Sequence, residues 1–151
     1  MLGLSLNTYF HLLFIVTIFS SLFCQIVLIR EQVSWKTLRQ LGFIDGIYGI
    51  SAIMVVGTGL LNWFLLGKGS SYYLANSFFI IKISLFTIVG LLSIYPTVMI
   101  SRAKKQNKHS PPANIRLRNA DKMRIFVIAE LILMALIPLF AELMANGIDI
   151  K

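Results

Sequence analysis

The chain alternates long apolar segments with short polar connections. Four runs rich in Leu, Ile, Val and Phe cover about residues 5–29, 43–66, 73–100 and 123–145. Each run is close to the ~20 residues that an α-helix needs to cross the hydrocarbon core of a bilayer. Because that core contains no water, backbone groups must pair within each segment. The four runs therefore predict four transmembrane helices.

The composition agrees with a location in a membrane. Hydrophobic residues make up 57% of the 151 residues and charged residues 13%, with a mean hydropathy of +0.79. Soluble domains carry roughly 25% charged residues. The length predicts a single domain over residues 1–151. The predicted fold class is all-α, an integral membrane antiparallel four-helix bundle.

The net charge of +8 is concentrated in two of the three connections. The first connection holds Arg30, Lys36 and Arg39, and the third, a basic loop over residues 101–124, holds eight Lys and Arg residues. Both lie on one side of a four-span chain, which the positive-inside rule assigns to the cytoplasm. We therefore predict outside N- and C-termini in a multi-pass protein of a bacterial inner (cytoplasmic) membrane.

The connections also indicate surface partners. The first contains VSWKTLRQLGF, whose apolar residues suggest a short interfacial helix. The basic loop 101–124 is suited to anionic headgroups, so membrane lipids are expected partners. It lacks the interleaved aromatic residues of a nucleic-acid-binding segment, and no nucleic-acid partner is expected.

Three ionisable residues interrupt the apolar runs at a similar depth near the predicted outer end of the bundle: His11, Lys82 and Glu142. An ionisable group inside a bilayer is costly, so such residues mark functional sites by default. We expect His11, Lys82 and Glu142 to bind a cofactor in a polar pocket between the helices. Two structural alternatives stay open for Lys82, which either snorkels to the headgroups or forms an ion pair with Glu142. The alternative for His11 is a core histidine bonded to the Asn7 carbonyl or to a neighbouring hydroxyl.

Asp45 and Glu130 form a second, inner layer of ionisable residues. The structural alternative for Glu130 is an ion pair with the basic inner connections, for example with Arg124 or Arg39. Pro138 is expected to bend the fourth helix between Glu130 and Glu142.

Several kinds of chemistry lack their motifs in this chain. Two histidines and the single Cys24 are too few and too scattered for a zinc site, so no metal is expected. Neither a phosphate-binding glycine loop in its strand-to-helix setting nor a GxSxG elbow is present. The catalytic residues are therefore unknown, and whether the protein is an enzyme is left open.

The chain resembles a bacterial family of predicted integral membrane proteins, the domain of unknown function 2214 family, from about Thr8 to Ile148. This family has no assigned activity. The motifs that carry the resemblance are YFHLLFIV, DGIYGISAIMVVGTGLL, GKGSSYYLANSFFIIKISLF, LLSIYPT and LILMALIPLFAELMANGI.

A second resemblance rests on a histidine in helix one, TGL late in helix two and a lysine early in helix three. This pattern looks like the J-type membrane protoporphyrinogen oxidases and the copper-resistance D-type proteins. In the oxidases the histidine and lysine serve haem or porphyrin chemistry. The resemblance implies that role for His11 and Lys82.

The sequence thus favours a small redox-associated membrane protein that binds haem, porphyrin or quinone between its helices. The alternative is a non-catalytic accessory or assembly subunit that docks onto a larger membrane complex through small-residue helix faces. A transporter is the third hypothesis, and it would have to form a homo-oligomer because four helices are few for a carrier.

Overall fold

The computed structural model describes residues 2–66, 76–110 and 112–146. Four helices within these ranges are long and apolar enough to cross a membrane, which confirms the all-α, four-helix membrane fold. The elements are α1 (Leu2–Leu28), β1 (Gln32–Val33), α2 (Trp35–Leu61) with a π-helical continuation (Asn62–Leu66), α3 (Ser77–Gln106), β2 (Ile115–Arg116) and α4 (Ala120–Ala145).

Helix α2 begins earlier than the predicted residue 43. The Ser34 side chain accepts a hydrogen bond of 3.1 Å from the Thr37 backbone N–H, which caps the helix at its first turn. The segment predicted to be a separate interfacial helix is therefore the first two turns of α2. The difference has a physical reason: Lys36 and Arg39 interrupt the apolar pattern, but both residue types are compatible with a helix.

The basic loop is also shorter than the predicted residues 101–124. Helix α3 continues to Gln106 and carries Lys104 and Lys105 in its last turn. Cations are favourable there, because the helix dipole is negative at its C-terminal end. Helix α4 starts at Ala120. The predicted start of the third helix at residue 73 lies outside the described residues.

Neighbouring helices run antiparallel. In each adjacent pair of consecutive helices, a residue near the start of one helix contacts a residue near the end of the other. The pairs that establish this are Asn7–Asn62, Asp45–Thr97 and Phe78–Phe140. The sidedness of the bundle in the membrane stays a prediction.

The four helices form a ring with two tight and two loose sides. α1 packs closely on α2, and α3 packs closely on α4. α1–α4 contacts and the still sparser α2–α3 contacts close the ring. The bundle is therefore two helical hairpins placed side by side, and its loosest side lies between α2 and α3.

A short β-ladder joins the two hairpins at one end, called here the basic end and formed by residues 29–34 and 112–119. β1 pairs antiparallel with β2, placing Gln32 opposite Arg116 and Val33 opposite Ile115. The Leu117 backbone N–H extends the pairing by donating to the Glu31 carbonyl at 2.9 Å. These backbone bonds hold the hairpins together where their helices leave the membrane.

One apolar core runs through the bundle from the basic end. Its most buried members include Leu22, Leu38 and Met123, each fully inaccessible. A smaller cluster around Phe78, Phe79 and Met144 lies at the opposite end. Large apolar side chains on the outer helix faces are exposed, as expected for surfaces that meet lipid.

We expect Leu22→Ala to destabilise the protein by about 1–3 kcal/mol. The substitution leaves a cavity and so removes packing contacts. The free energy of transferring the side chain from water contributes little, because the helix lies in lipid also when the bundle is unfolded. Leu12→Ala, on the exposed face of the same helix, should change stability by less than about 0.5 kcal/mol. Reversible unfolding in mixed detergent micelles measures both. Equal losses would contradict the assigned core face.

Candidate functional site

His11 is held by a hydroxyl of the neighbouring helix. Its Nδ1 lies 2.7 Å from Thr58 Oγ1, and that hydroxyl donates to the Met54 carbonyl at 2.7 Å. Because the Thr58 proton is used on Met54, Oγ1 accepts a hydrogen bond from His11 Nδ1–H. This confirms the bond to a neighbouring hydroxyl, and the Val55 backbone is a second hydrogen-bonding partner of the ring.

Asn7 lies in the same cluster, but not as a partner of His11. Its Nδ2 donates to the Thr58 carbonyl at 2.9 Å and to Asn62 Oδ1 at 2.8 Å. These bonds tie the beginning of α1 to the end of α2. The expectation that the Asn7 carbonyl binds His11 is therefore wrong, because the Thr58 hydroxyl occupies Nδ1.

Lys82 lies within electrostatic range of His11, whereas no hydrogen bond or ion pair among the described residues joins Glu142 to either of them. The Lys82 ammonium sits 5.1 Å from the Phe79 ring centroid. Glu142 is exposed, and its Oε1 accepts a 3.0 Å hydrogen bond from Asn146. In the described part of the chain no ion pair joins Lys82 to Glu142, so that alternative is wrong. Cofactor binding by His11, Lys82 and Glu142 stays a prediction.

Glu130 occupies the interior of the bundle. Its side chain is 1% exposed, and Oε2 accepts a 3.0 Å hydrogen bond from the Tyr48 hydroxyl. Oε1 is buried and has no hydrogen-bond partner among the described residues. The expected ion pair with Arg124 or Arg39 is not formed. Glu130 lies roughly 15 Å along the axis from the start of α4, too deep for the cations of the basic end to reach it.

Asp45 lies near this pair and is bound across the α2–α3 side. Thr97 Oγ1 donates to Asp45 Oδ1 at 2.9 Å. Lys104, nearer the basic end, lies within electrostatic range of Asp45. Tyr48 interacts electrostatically with both Asp45 and Glu130, so one phenol links the two carboxyl groups.

These side chains form a polar layer in the middle of the bundle, defined by Asp45, Tyr48, Ser93, Thr97 and Glu130. Ser93 interacts with the Tyr48 hydroxyl, and its own proton is directed to the backbone carbonyl of the preceding turn, 2.8 Å away. The layer therefore connects α2, α3 and α4 through side-chain hydrogen bonds.

A cavity of about 360 Å³ opens beside the polar layer, between α2 and α3. We call this cavity the groove. It exists because α2–α3 packing is sparse and because Gly49 and Gly90 leave open space where a side chain would stand. The groove is lined by Asp45, Tyr48, Gly49 and Ala52 of α2, by Phe86, Val89, Gly90, Ser93, Ile94, Thr97 and Val98 of α3, and by Ile18 and Met134 of the other two helices.

The polar groups that line the groove offer lone pairs rather than protons. The hydroxyls of Tyr48, Ser93 and Thr97 all donate to acceptors within the protein, namely Glu130, a backbone carbonyl and Asp45. What remains for a ligand is their oxygen lone pairs and the Asp45 carboxyl group. The groove is thus suited to a small apolar molecule whose head donates hydrogen bonds or carries positive charge.

The sequence pattern contained part of this site. Asp45, Tyr48, Gly49 and Ala52 follow the i, i+3, i+4, i+7 spacing of one helix face, as do Gly90, Ser93 and Thr97 on α3. Sequence reasoning found the two acids but missed Tyr48 and Thr97 as their partners. Placing the polar face of α2 opposite the polar face of α3 could have identified Tyr48 and Thr97.

The chain belongs to a family of membrane proteins of unknown function. The family model for "Predicted membrane protein (DUF2214)" matches residues 5–149, nearly the whole chain. No curated protein and no solved structure matches. The family thus confirms the membrane class and leaves the activity to be inferred from the geometry.

We predict that Tyr48→Phe destabilises the protein by about 1–3 kcal/mol. The change removes the hydrogen bond that Glu130 Oε2 accepts, so both oxygens of the buried carboxyl group then lack a partner among the described residues, and the loss of one partner of a buried pair costs that much. Tyr95→Phe is the matched control on α3, where the ring contacts Phe126 with centroids 4.8 Å apart. The control should cost less than about 0.5 kcal/mol.

Unfolding of the two variants in the same detergent series measures the difference. In a Tyr48→Phe/Glu130→Gln double variant the cost should be non-additive, because one bond is removed twice. Additive costs would contradict the direct hydrogen bond.

Proposed function

We propose that this protein is a binding protein for a small lipid-soluble molecule whose head enters the groove from the membrane. Among the ligand classes that the sequence suggested, the quinol form of a quinone fits best. The observation that carries this proposal is the pairing of an apolar cavity with a cluster of hydrogen-bond acceptors, at a depth that water does not reach.

The size and lining of the groove support a single-ring head. Its volume of about 360 Å³ lies at the lower end of the roughly 300–1,000 Å³ of ligand pockets. Most of the lining is apolar, and Phe86, Val89 and Ile94 offer surface for a ring and the start of a hydrocarbon tail. A four-ring macrocycle needs more room than this cavity provides.

The acceptors support the reduced form of the ligand. A quinol carries two hydroxyl donors that match Asp45 and the lone pairs of Ser93 and Thr97, whereas a quinone only accepts hydrogen bonds. Haem and porphyrin carry anionic propionates, which only accept hydrogen bonds and find no free donor among the hydroxyls of Tyr48, Ser93 and Thr97. These ligands are therefore disfavoured in the groove.

Haem or porphyrin binding at His11 is a separate hypothesis at the opposite end of the bundle. The hypothesis rests on the His11 ring, because histidine is a common axial ligand of haem iron. Oxidised and reduced absorbance spectra of the purified protein test it: a Soret band lost in His11→Ala but kept in the deep variant Asp45→Asn would support it. A spectrum without that band at full helicity would remove it.

The accessory-subunit hypothesis rests on exposed apolar helix faces, including those with Gly46 and Gly57. Lipid-facing and partner-facing surfaces of membrane helices are both apolar, so this feature does not favour docking over lipid contact. Ligand binding in the groove, in contrast, predicts that single substitutions of groove-lining residues change the affinity for the ligand.

We expect a short-tail quinol, kept reduced under argon, to bind the detergent-purified protein about tenfold more tightly than the matching quinone. A hydrogen bond to a charged group supplies a difference of this size. Equilibrium dialysis measures both constants. Asp45→Asn should abolish the preference, because the amide offers both a donor and an acceptor.

Gly49→Leu should block quinol binding by filling the groove. Gly46→Leu is the matched control, because Gly46 lies on the same helix, is exposed, and does not line the groove. Its binding constant should equal that of the unmodified protein. Equal binding by Gly49→Leu and Gly46→Leu would remove the groove as the binding site.

A further inference from the structure

A cluster of two hydrogen-bond donors and an aromatic ring lies toward the end of the bundle opposite the basic end, one helical turn beyond the groove-lining Phe86. It consists of Trp63 in the π-helical continuation of α2 and of Phe79 and Lys82 in α3. The Trp63 and Phe79 rings meet edge to face with centroids 5.0 Å apart. The Lys82 ammonium also contacts the Phe79 ring and lies 5.1 Å from its centroid. We call these three residues the donor cluster.

The donors of this cluster lack acceptors. The Trp63 Nε1–H is buried and has no hydrogen-bond partner among residues 2–66, 76–110 and 112–146. The Lys82 ammonium makes a cation–π contact and, within the same ranges, no ion pair with an acid. Glu142, the acid that the sequence placed at this depth, is exposed and bonded to Asn146. A half-buried ammonium and an unpaired N–H whose side chains contact the same Phe79 ring are together complementary to an anion with several oxygens.

The position of Lys82 selects the source of that anion. Lys82 lies five residues after the start of α3 at Ser77, about 8 Å along the axis. A helix of 30 residues is about 15 Å longer than a hydrocarbon core of about 30 Å, and an equal excess at its two ends puts Lys82 at the edge of that core. Lipid phosphates lie just beyond this edge, within the reach of a lysine side chain.

We propose that the donor cluster binds the phosphodiester of an anionic phospholipid. The ammonium of Lys82 pairs with the phosphate, and Trp63 Nε1–H donates to a second oxygen of the same headgroup. The aromatic rings of Trp63 and Phe79 form the apolar wall below the phosphate, where the first acyl carbons lie. A zwitterionic headgroup binds less well, because its cation approaches Lys82.

The site differs from plain snorkelling in what holds the lysine. A snorkelling lysine extends its ammonium into water, and any cation at that depth serves equally well. Here the ammonium rests on a ring of its own helix, and a neutral donor from another helix lies against the same ring. The two hypotheses therefore differ in the effect of removing Trp63 Nε1–H.

Native mass spectrometry of the intact protein, released from detergent and titrated with phosphatidylglycerol, tests the proposal. We expect Lys82→Met to weaken the tightest lipid-binding event about tenfold, as for loss of a charge-assisted hydrogen bond. Lys82→Arg should retain it. Trp63→Phe, which keeps a ring and removes the donor, should weaken it about threefold. Thermal unfolding of each variant checks that the fold is kept.

Lys36→Met is the matched control, because Lys36 is an exposed cation at the basic end. It should change the tightest event by less than about threefold. Unchanged binding in Lys82→Met, or a larger loss in Lys36→Met, would overturn the proposal. Unchanged binding in Trp63→Phe would reduce Lys82 to a snorkelling cation and overturn it too. If phosphatidylcholine or inorganic phosphate competed as well as phosphatidylglycerol, the assignment to an anionic lipid would be wrong.

Discussion

The absence of water in the bilayer core determines how every polar group of this protein is arranged. Unpaired backbone groups are too costly there, so the spans are helical. The same constraint acts on the lipid-facing hydroxyls, each of which donates to the carbonyl four residues earlier in its own helix: Thr8, Thr17, Ser20 and Thr87. Such self-satisfied hydroxyls are compatible with lipid and carry no information about a ligand.

Against that background, the polar atoms that are not satisfied locally stand out. The described residues contain buried side-chain atoms without hydrogen-bond partners on Gln25, Trp63 and Glu130. Glu130 lies in the polar layer beside the groove, and Trp63 lies in the donor cluster at the opposite end. The two regions also differ in chemistry, since the groove presents acceptors and the donor cluster presents donors. The two ligands proposed above, one with a donating head and one with an anionic head, follow from this difference in chemistry.

The packing of the bundle explains why the groove lies where it does. Each helical hairpin is tight, and the β1–β2 ladder joins the hairpins only at the basic end. Above that ladder the α2–α3 side is sparsely packed, and Gly49 and Gly90 leave open space there. The Thr97–Asp45 bond bridges this side, and the Tyr48–Glu130 bond ties α2 to α4 beside it. The cavity therefore lies on the most loosely packed side of the bundle, beside the polar layer.

The sequence by itself determined the number of spans, their approximate extent and the depth of each ionisable residue. Length, apolar content and a rise of about 1.5 Å per residue suffice for these properties. It also indicated that Asp45 and Glu130 share a layer. Helix ends were less certain, because Lys and Arg suit both a loop and a helix terminus, and α2 and α3 extend further than the apolar pattern indicated.

Only the tertiary structure decided which polar groups meet. His11 binds Thr58 rather than Asn7, Lys82 lies within electrostatic range of His11 and not in an ion pair with Glu142, and Glu130 binds Tyr48 rather than an arginine. Each of these outcomes depends on the rotation of one helix about its axis relative to its neighbour. Periodicity defines the faces of a single helix, but the packing of side chains between helices determines which faces are opposed.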